Sequence, residues 1–233
     1  MATRRSTAGS TERATERTHD GGDDRLRARA RGRGKYDRSL AADERTREKR
    51  QILYQAATRV FASRGYTKST VDDVCDAAGV SRRTFYEHFR DLEDLFMRLH
   101  DRLGRMAFAA VEAFVTAHED PDDQTRAGVE GLLGLVARFP AESRVVFREL
   151  WGLGPEAFRL RYALLARFAA LMTRGLSAAH AAGRYRKPPD EIRVYALVSA
   201  IEAVGMKYMD SGEHERALEA APALVDMIIA AFR

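Results

Sequence analysis

Twenty residues, Thr70 to Phe89 (TVDDVCDAAGVSRRTFYEHF), constrain this chain more than any other stretch. Val71, Val74, Cys75 and Ala78 fall at i, i+3, i+4 and i+7, which is one face of a helix. Thr70 stands just before that face and Asp73 lies three residues on, the pattern of a hydroxyl cap answered by an acid. Ala78-Gly79-Val80 then breaks the periodicity, and Gly79 can supply the positive φ of a sharp turn. Ser81 is placed to cap a second helix, in which Phe85 and Phe89 lie one turn apart and face back to the first. Arg82, Arg83, Thr84, Tyr86 and His88 are then expected to face outward. Two short helices, a Gly turn and a cationic outer face are what a helix-turn-helix offers to the major groove of DNA.

The same residues resemble the DNA-binding domain of the tetracycline-repressor (TetR) family of bacterial transcription regulators. The matching elements are Thr70-Val71, the turn Ala78-Gly79-Val80-Ser81, Thr84-Phe85-Tyr86 and His88-Phe89. The approach Phe61 to Tyr66 and the exit Leu95-Phe96 match as well, so the resemblance covers about Arg45 to Phe96. Three positions depart from the pattern. Cys75 stands where the family usually has Ala, Arg83 where it often has Gly, and Leu92 where it often has a Lys that contacts a phosphate. Ser69, Thr70, Ser81, Thr84, Tyr86 and His88 are candidates to lie against DNA, and the resemblance implies that Tyr86 and His88 touch the backbone. Arg82 and Arg83 are the candidates for base edges, because arginine pairs bidentately with guanine; either could hold a phosphate instead.

The charge distribution agrees with this placement. Residues 1–42 hold 11 Arg or Lys against 6 Asp or Glu, and residues 45–89 hold 9 against 5, whereas residues 90–233 hold 19 against 21. Excess cation is confined to the part that carries the motif, as phosphate binding requires. Arg45, Arg47, Lys49 and Arg50 crowd the start of the helix expected from about Asp43 to Arg64. That is unfavourable for the helix dipole, and it puts Arg45 among the phosphate-binding candidates beside the alternative of a solvated charged face. Residues 1–40 hold almost no large apolar side chains and are expected to be a disordered basic arm. Arg25 to Lys35 could follow the minor groove, or serve as a solubilising tail.

The chain therefore divides into an arm (1–40), a helix-turn-helix domain (41–90) and a helical body (91–233). After Phe89, Asp91 is placed to cap a long helix reaching about His118. Glu119 to Asp123 is expected as a loop. Helical patterns resume to Phe139, where Pro140 stops them, and again from Glu156 to about Ala182 and from Pro189 to about Met209. The final helix is expected to carry Leu218, Leu224 and Phe232, with Pro222 in its first turn or kinking it. No strand pattern appears, so the fold class is all-α. The resemblance implies that the last two helices pair with those of a second copy; the small residues Ala196, Ala200, Ala203 and Gly205 would permit a close approach.

The chemistry missing from the sequence also narrows the reading. The six histidines show no HxxxH or HExxH spacing, the single cysteine allows no zinc ligand set, and there is no GxGxxG, P-loop or GxSxG. No cofactor, metal or enzyme activity is expected. Cys75 reads as a small core residue or, less in keeping with its apolar face, a redox sensor. No apolar run approaches the ~20 residues that span a membrane, and no secretory signal opens the chain, so the cytoplasm, at the nucleoid, is the expected location. In the family the body encloses a pocket for a small effector, for which Met106, Phe147, Trp151, Tyr162, Phe168 and Tyr195 are the candidate lining residues. The partners expected are an operator duplex, a second copy of the chain and an unidentified effector. The competing function is that of an architectural, weakly specific DNA-binding protein driven by the basic arm.

Overall fold

The computed structural model describes the backbone from residue 22 onward and the side chains from residue 43, except those of residues 151, 152 and 156. Residues 1–21 of the expected arm, and the side chain of Trp151, lie outside the described residues. Those described are all-helical, with no strand. The chain falls into two compact units, Met1–Glu48 and Lys49–Arg233. In the first, α1 begins at Gly22, 21 residues before the start at Asp43 expected from the sequence. Leu26, Ala28, Ala30 and the intervening arginines are good helix formers, and propagation from a helix already nucleated costs little. Arg45 is exposed there.

In the second unit α1 runs on to Arg64 and is followed by α2 (Val71–Ala78), α3 (Arg82–Tyr86), α4 (Leu92–Thr116), α5 (Pro121–Arg138), α6 (Pro140–Phe147), α7 (Pro155–Ala181), α8 (Glu191–Asp210) and α9 (Ala221–Phe232). Short 3-10 turns occupy Tyr66–Lys68, Glu149–Gly152 and His214–Ala220. Most boundaries follow from end chemistry. Asp91, Asp120 and Asp190 each accept a backbone N–H as the cap of α4, α5 and α8. The Glu119–Asp123 loop is shorter than expected, because Pro121 occupies the first turn of α5, where its missing N–H costs nothing. Pro140 opens α6 in the same way and Pro222 lies in the first turn of α9. Leu218 belongs to the last 3-10 turn rather than to α9.

Two apolar cores result. The first joins Leu53, Ala57 and Phe61 of α1, Val74 and Cys75 of α2, Phe85, Phe89, and Leu95, Phe96 and Leu99 of α4. It is completed from further along the chain by Val145, Leu150, Leu153 and Ala157. The second is built from α4, α5, α7, α8 and α9 around Leu133, Leu165 and Ile228. Leu103 of α4 packs against both. A half-buried arginine meets a buried carboxylate between α7 and α8: Arg161 Nε donates to Glu202 Oε1 at 2.9 Å. Burial raises the Glu202 carboxyl above its ordinary range, and Arg161 opposes that shift. Gly205, expected to face a partner, faces inward instead; a Cβ there would meet Val136 at 3.2 Å.

The seam between the cores is polar at two points. His100, 2% exposed, donates from Nε2 to the Val146 carbonyl of α6 at 3.0 Å, while its Nδ1 has no hydrogen-bond partner among the described residues. A carboxylate of Glu149 accepts the Tyr66 backbone N–H at 2.8 Å and the Arg144 Nε–H at 3.1 Å.

Phe85→Ala, which would open a cavity at the centre of the first core, should cost about 3–5 kcal/mol in chemical denaturation followed by circular dichroism. Burial holds His100 below the ordinary histidine range. The unfolded chain then binds more protons just below pH 6.5, so stability should fall as pH drops through 6.5 toward the folded-state value. Burial and Arg50 lower His88 in the same direction. His100→Gln should therefore flatten, without abolishing, the acid limb of a stability–pH curve.

Candidate nucleic-acid interface

The α2–α3 pair owes its shape to its end groups. Thr70 Oγ1 accepts the Asp73 N–H at 3.2 Å, and Asp73 Oδ2 accepts the Thr70 N–H at 2.8 Å, a complete capping box. The Thr70 hydroxyl, which donates to Asp73 Oδ2 at 2.8 Å, and the Thr70 N–H, with Arg64 at 2.5 Å, hold the Asp73 carboxyl below its ordinary range. Gly79 closes α2 at φ 66°, ψ 34°, the left-handed region that favours glycine. Ser81 Oγ then accepts the Thr84 N–H at 3.2 Å and starts α3. Val74, Cys75, Phe85 and Phe89 are buried beneath. Burial pushes the Cys75 thiol up, away from the thiolate a redox sensor uses.

The outward residues differ in how free they are. Arg83 is 90% exposed in its side chain and among the described residues meets only Glu87, Nε to Oε1 3.3 Å. Arg82 is committed within the protein. Its NH1 reaches both oxygens of Asp72 at 2.9 Å, and its NH2 donates to the Tyr86 hydroxyl at 3.3 Å. Arg82 therefore fastens α3 to α2, and Arg83 is the arginine available to a base edge. Tyr86 is half-exposed. His88, expected outward, is half-buried, and its Nε2 is enclosed without a hydrogen-bond partner among the described residues. Thr84 is also half-buried. Ser69 Oγ donates to the Gly65 carbonyl at 2.7 Å, so its hydroxyl braces the approach to α2.

Leu92 has a structural explanation. It packs against the first core, so no cation projects from that position. Two residues earlier, Arg90 is 82% exposed and only 3.7 Å-paired with Asp94. Lys68, exposed beside the start of α2, forms no ion pair among the described residues. Sequence reasoning passed over Lys68, Arg90 and the Asp72 clamp. The first two carried a signal, since each is a cation next to a capping residue, whereas Asp72 and Arg82 are ten positions apart and only the folded turn brings them together.

The candidate effector residues do not converge. Phe168 lines a cavity between α4, α5, α7 and α8 with Val111, Leu132, Leu171, Met172 and Ile201. Met106 and Phe147 line a separate groove between α1, α4 and α6. Tyr162 is 53% exposed, with the Arg161 guanidinium over its ring at 5.9 Å, and it lines neither. Tyr195 packs at the edge of the second core and likewise lines neither.

The model of the bacterial regulatory proteins of the tetR family matches residues 53–99, from the buried face of α1 to the opening turns of α4. Over 131 residues the chain is 30% identical to the transcriptional repressor AcnR of Corynebacterium efficiens, covering 54% of this chain and 70% of that one. The chain belongs to the tetR family. It is also 28% identical over 109 residues to the transcriptional activator FasR of Mycolicibacterium smegmatis, across 47% of this chain and 50% of FasR. It spans about half the length of FasR and of the Corynebacterium glutamicum AcnR, at 50% and 48%. Among solved structures, the fatty acid degradation regulator FadR of Bacillus halodurans superposes with a TM-score of 0.72 at 17% identity, covering 79% of this chain and 96% of FadR. The FadR of Bacillus subtilis in complex with stearoyl-CoA superposes with 0.69 at 16%, covering 78% and 99%. The tetR relatives are transcription regulators rather than enzymes. Among the described residues no helix is long and apolar enough to cross a membrane.

Arg83→Ala should weaken binding to a cognate duplex by ~1–3 kcal/mol while leaving random-sequence binding nearly unchanged. Arg82→Ala should lower thermal stability as well, by ~0–1 kcal/mol for an exposed pair. Mobility-shift titration on both duplexes, beside a thermal melt, separates the two arginines; equal losses on both duplexes would assign Arg83 to a phosphate.

Proposed function

We propose that this tetR-family protein is a homodimeric transcriptional repressor that binds a palindromic operator and is released by an apolar effector. The observation that carries the proposal is the capped α2–α3 pair, which presents Arg83 and Tyr86 on a rigid apolar base. Lys68 and Arg90 would add contacts to the phosphates, and Arg90 takes over from the cation that Leu92 displaces. Arg45 belongs to the first compact unit; it and the basic arm would add to the phosphate-dependent share of binding. The proposed domains remain the arm to residue 40, the DNA-binding head to residue 90 and the body beyond.

A palindrome needs two recognition helices one turn of DNA apart, about 34 Å. The surface suited to pairing the copies lies on α8 and α9. Ile192 is 80% exposed on α8, in line with Ala196 and Ala203, while Ala223, Met227 and Ala230 form an exposed stripe on α9. Small and apolar side chains left in water on two neighbouring helices suit a four-helix bundle with a second copy.

The cavity between α4, α5, α7 and α8 is the proposed effector site. Its wall is apolar apart from Gln124 and Thr125, so the ligand body would be apolar. Its volume is about 50 Å³, far below the ~300–1,000 Å³ of a drug-sized site. An effector would have to part α7 from α4 and α5, and that is the two-state change a release mechanism needs. Stearoyl-CoA on the Bacillus subtilis FadR is an example of an effector with a long apolar portion.

Sedimentation velocity of the purified protein should give a dimer, and Ile192→Arg with Met227→Arg should give monomers that lose operator affinity. Competition between a selected palindrome and random DNA should give a specificity ratio well above one. A ratio near one would favour an architectural protein, and a stable wild-type monomer would refute the dimer.

A further inference from the structure

A second space in the protein is ten times the size of the proposed effector cavity. The groove between α1, α4 and α6 encloses about 500 Å³. Its floor is apolar, and two large apolar side chains at its edge are left in water: Met106 is 56% exposed and Phe139 50%. Covering them would gain roughly 25 cal/mol for each Å² removed from water. The charges on the wall point to one kind of occupant. Arg102 of α4 donates to Gln51 Oε1 at 2.9 Å and lies over the Tyr54 ring at 5.7 Å, but no carboxylate among the described residues pairs with it. Arg98, one turn earlier, is neutralised by Asp94 at 2.8 Å. Tyr54 lines the same groove, and its hydroxyl makes no hydrogen bond among the described residues. The acid of the wall, Glu142, stands on α6. An anion is therefore drawn to the α1–α4 wall, and an apolar tail to the floor.

We propose that this groove is a binding site for an amphipathic anion, a medium-chain carboxylate in chemistry, with its head on Arg102 and its chain across Met106 and Phe139. Charge-assisted bonds from a guanidinium to a carboxylate are the strong kind, and the open floor supplies the apolar burial. This site is distinct from the α4–α5–α7–α8 cavity and goes beyond the effector reading given above. One of its walls is α1, which also carries the first core. Ligand in the groove thus touches the DNA-binding head through α1 and the body through α4 and α6 at once.

Methionine methyl NMR tests the proposal, because Met106 reports on the groove and Met172 on the body cavity. Full-length protein labelled at its methionine methyl groups would be titrated with dodecanoate. The Met106 resonance should shift and saturate, and Arg102→Gln should raise the apparent Kd at least about ten-fold, while a thermal melt shows the variant folded. Arg102→Lys, which keeps the charge but not the fork, should fall between the two. The proposal is overturned if Met106 does not move at concentrations up to about 1 mM, a weak-binding limit. It is also overturned if Arg102→Gln titrates like the wild type. A shift of Met172 alone would place dodecanoate in the body cavity and leave the groove empty, which overturns this inference while supporting the effector reading.

Discussion

The head of this protein is not closed by its own helices. Val145, Leu150, Leu153 and Ala157 come from beyond residue 140 and fill the core on which α2 and α3 rest. A three-helix domain of this size buries little apolar surface by itself, and these four side chains supply what it lacks. The polar bonds at the same seam fix the orientation. Glu149 accepts the Tyr66 N–H, a donor that the turn after α1 would otherwise leave unpaired, and His100 holds the carbonyl of Val146. Because buried polar groups are costly when unmatched, these bonds make the seam specific as well as adhesive. Val145 faces the first core while Val146 and Phe147 belong to the second. A movement of α6 therefore cannot disturb one core alone.

On that base the DNA face is arranged by division of labour. Hydroxyls that could have contacted phosphates are largely spent on shape: Thr70 and Ser81 cap helices, and Ser69 braces the turn before them. The two adjacent arginines have separated roles. Arg82 is clamped by Asp72 and Tyr86, and Arg83 is left with a single exposed partner. Clamping one arginine lowers the entropy cost of presenting the helix that carries the other.

How much of this could be read from the chain depends on the range of the cause. The α2–α3 unit was legible because everything that makes it lies within twenty residues: the Thr70 and Ser81 caps, the Gly79 turn and the spacing of Val74, Cys75, Phe85 and Phe89. The all-α class and most helix ends were legible for the same reason. The cavity residues were not. Aromatic and methionine content marks core and pocket alike, so Met106, Phe168 and Tyr162 looked equivalent until packing placed them at three different sites. Gly205 and Leu92 show the same limit. Each was judged by its residue type, and each is explained by a long-range neighbour, Val136 for the glycine and the first core for the leucine. The early start of α1 has a different origin, since propensity and continuation of a helix prevailed over the polar composition of the segment.

The unbroken length of α4 has a mechanical corollary. Its 25 residues make a rod of ~37 Å at 1.5 Å per residue, with the first core at one end and the body cavity near the other. A tilt of about 5° at the body end would displace the opposite tip by ~3 Å, by the same length, which is the reach of one hydrogen bond. In a symmetric pair of copies the displacement occurs twice and in opposite senses, so the separation of the two heads would change by about twice that amount. A rigid rod of this kind would turn a rearrangement on the scale of one side chain into a mismatch with the pitch of a duplex.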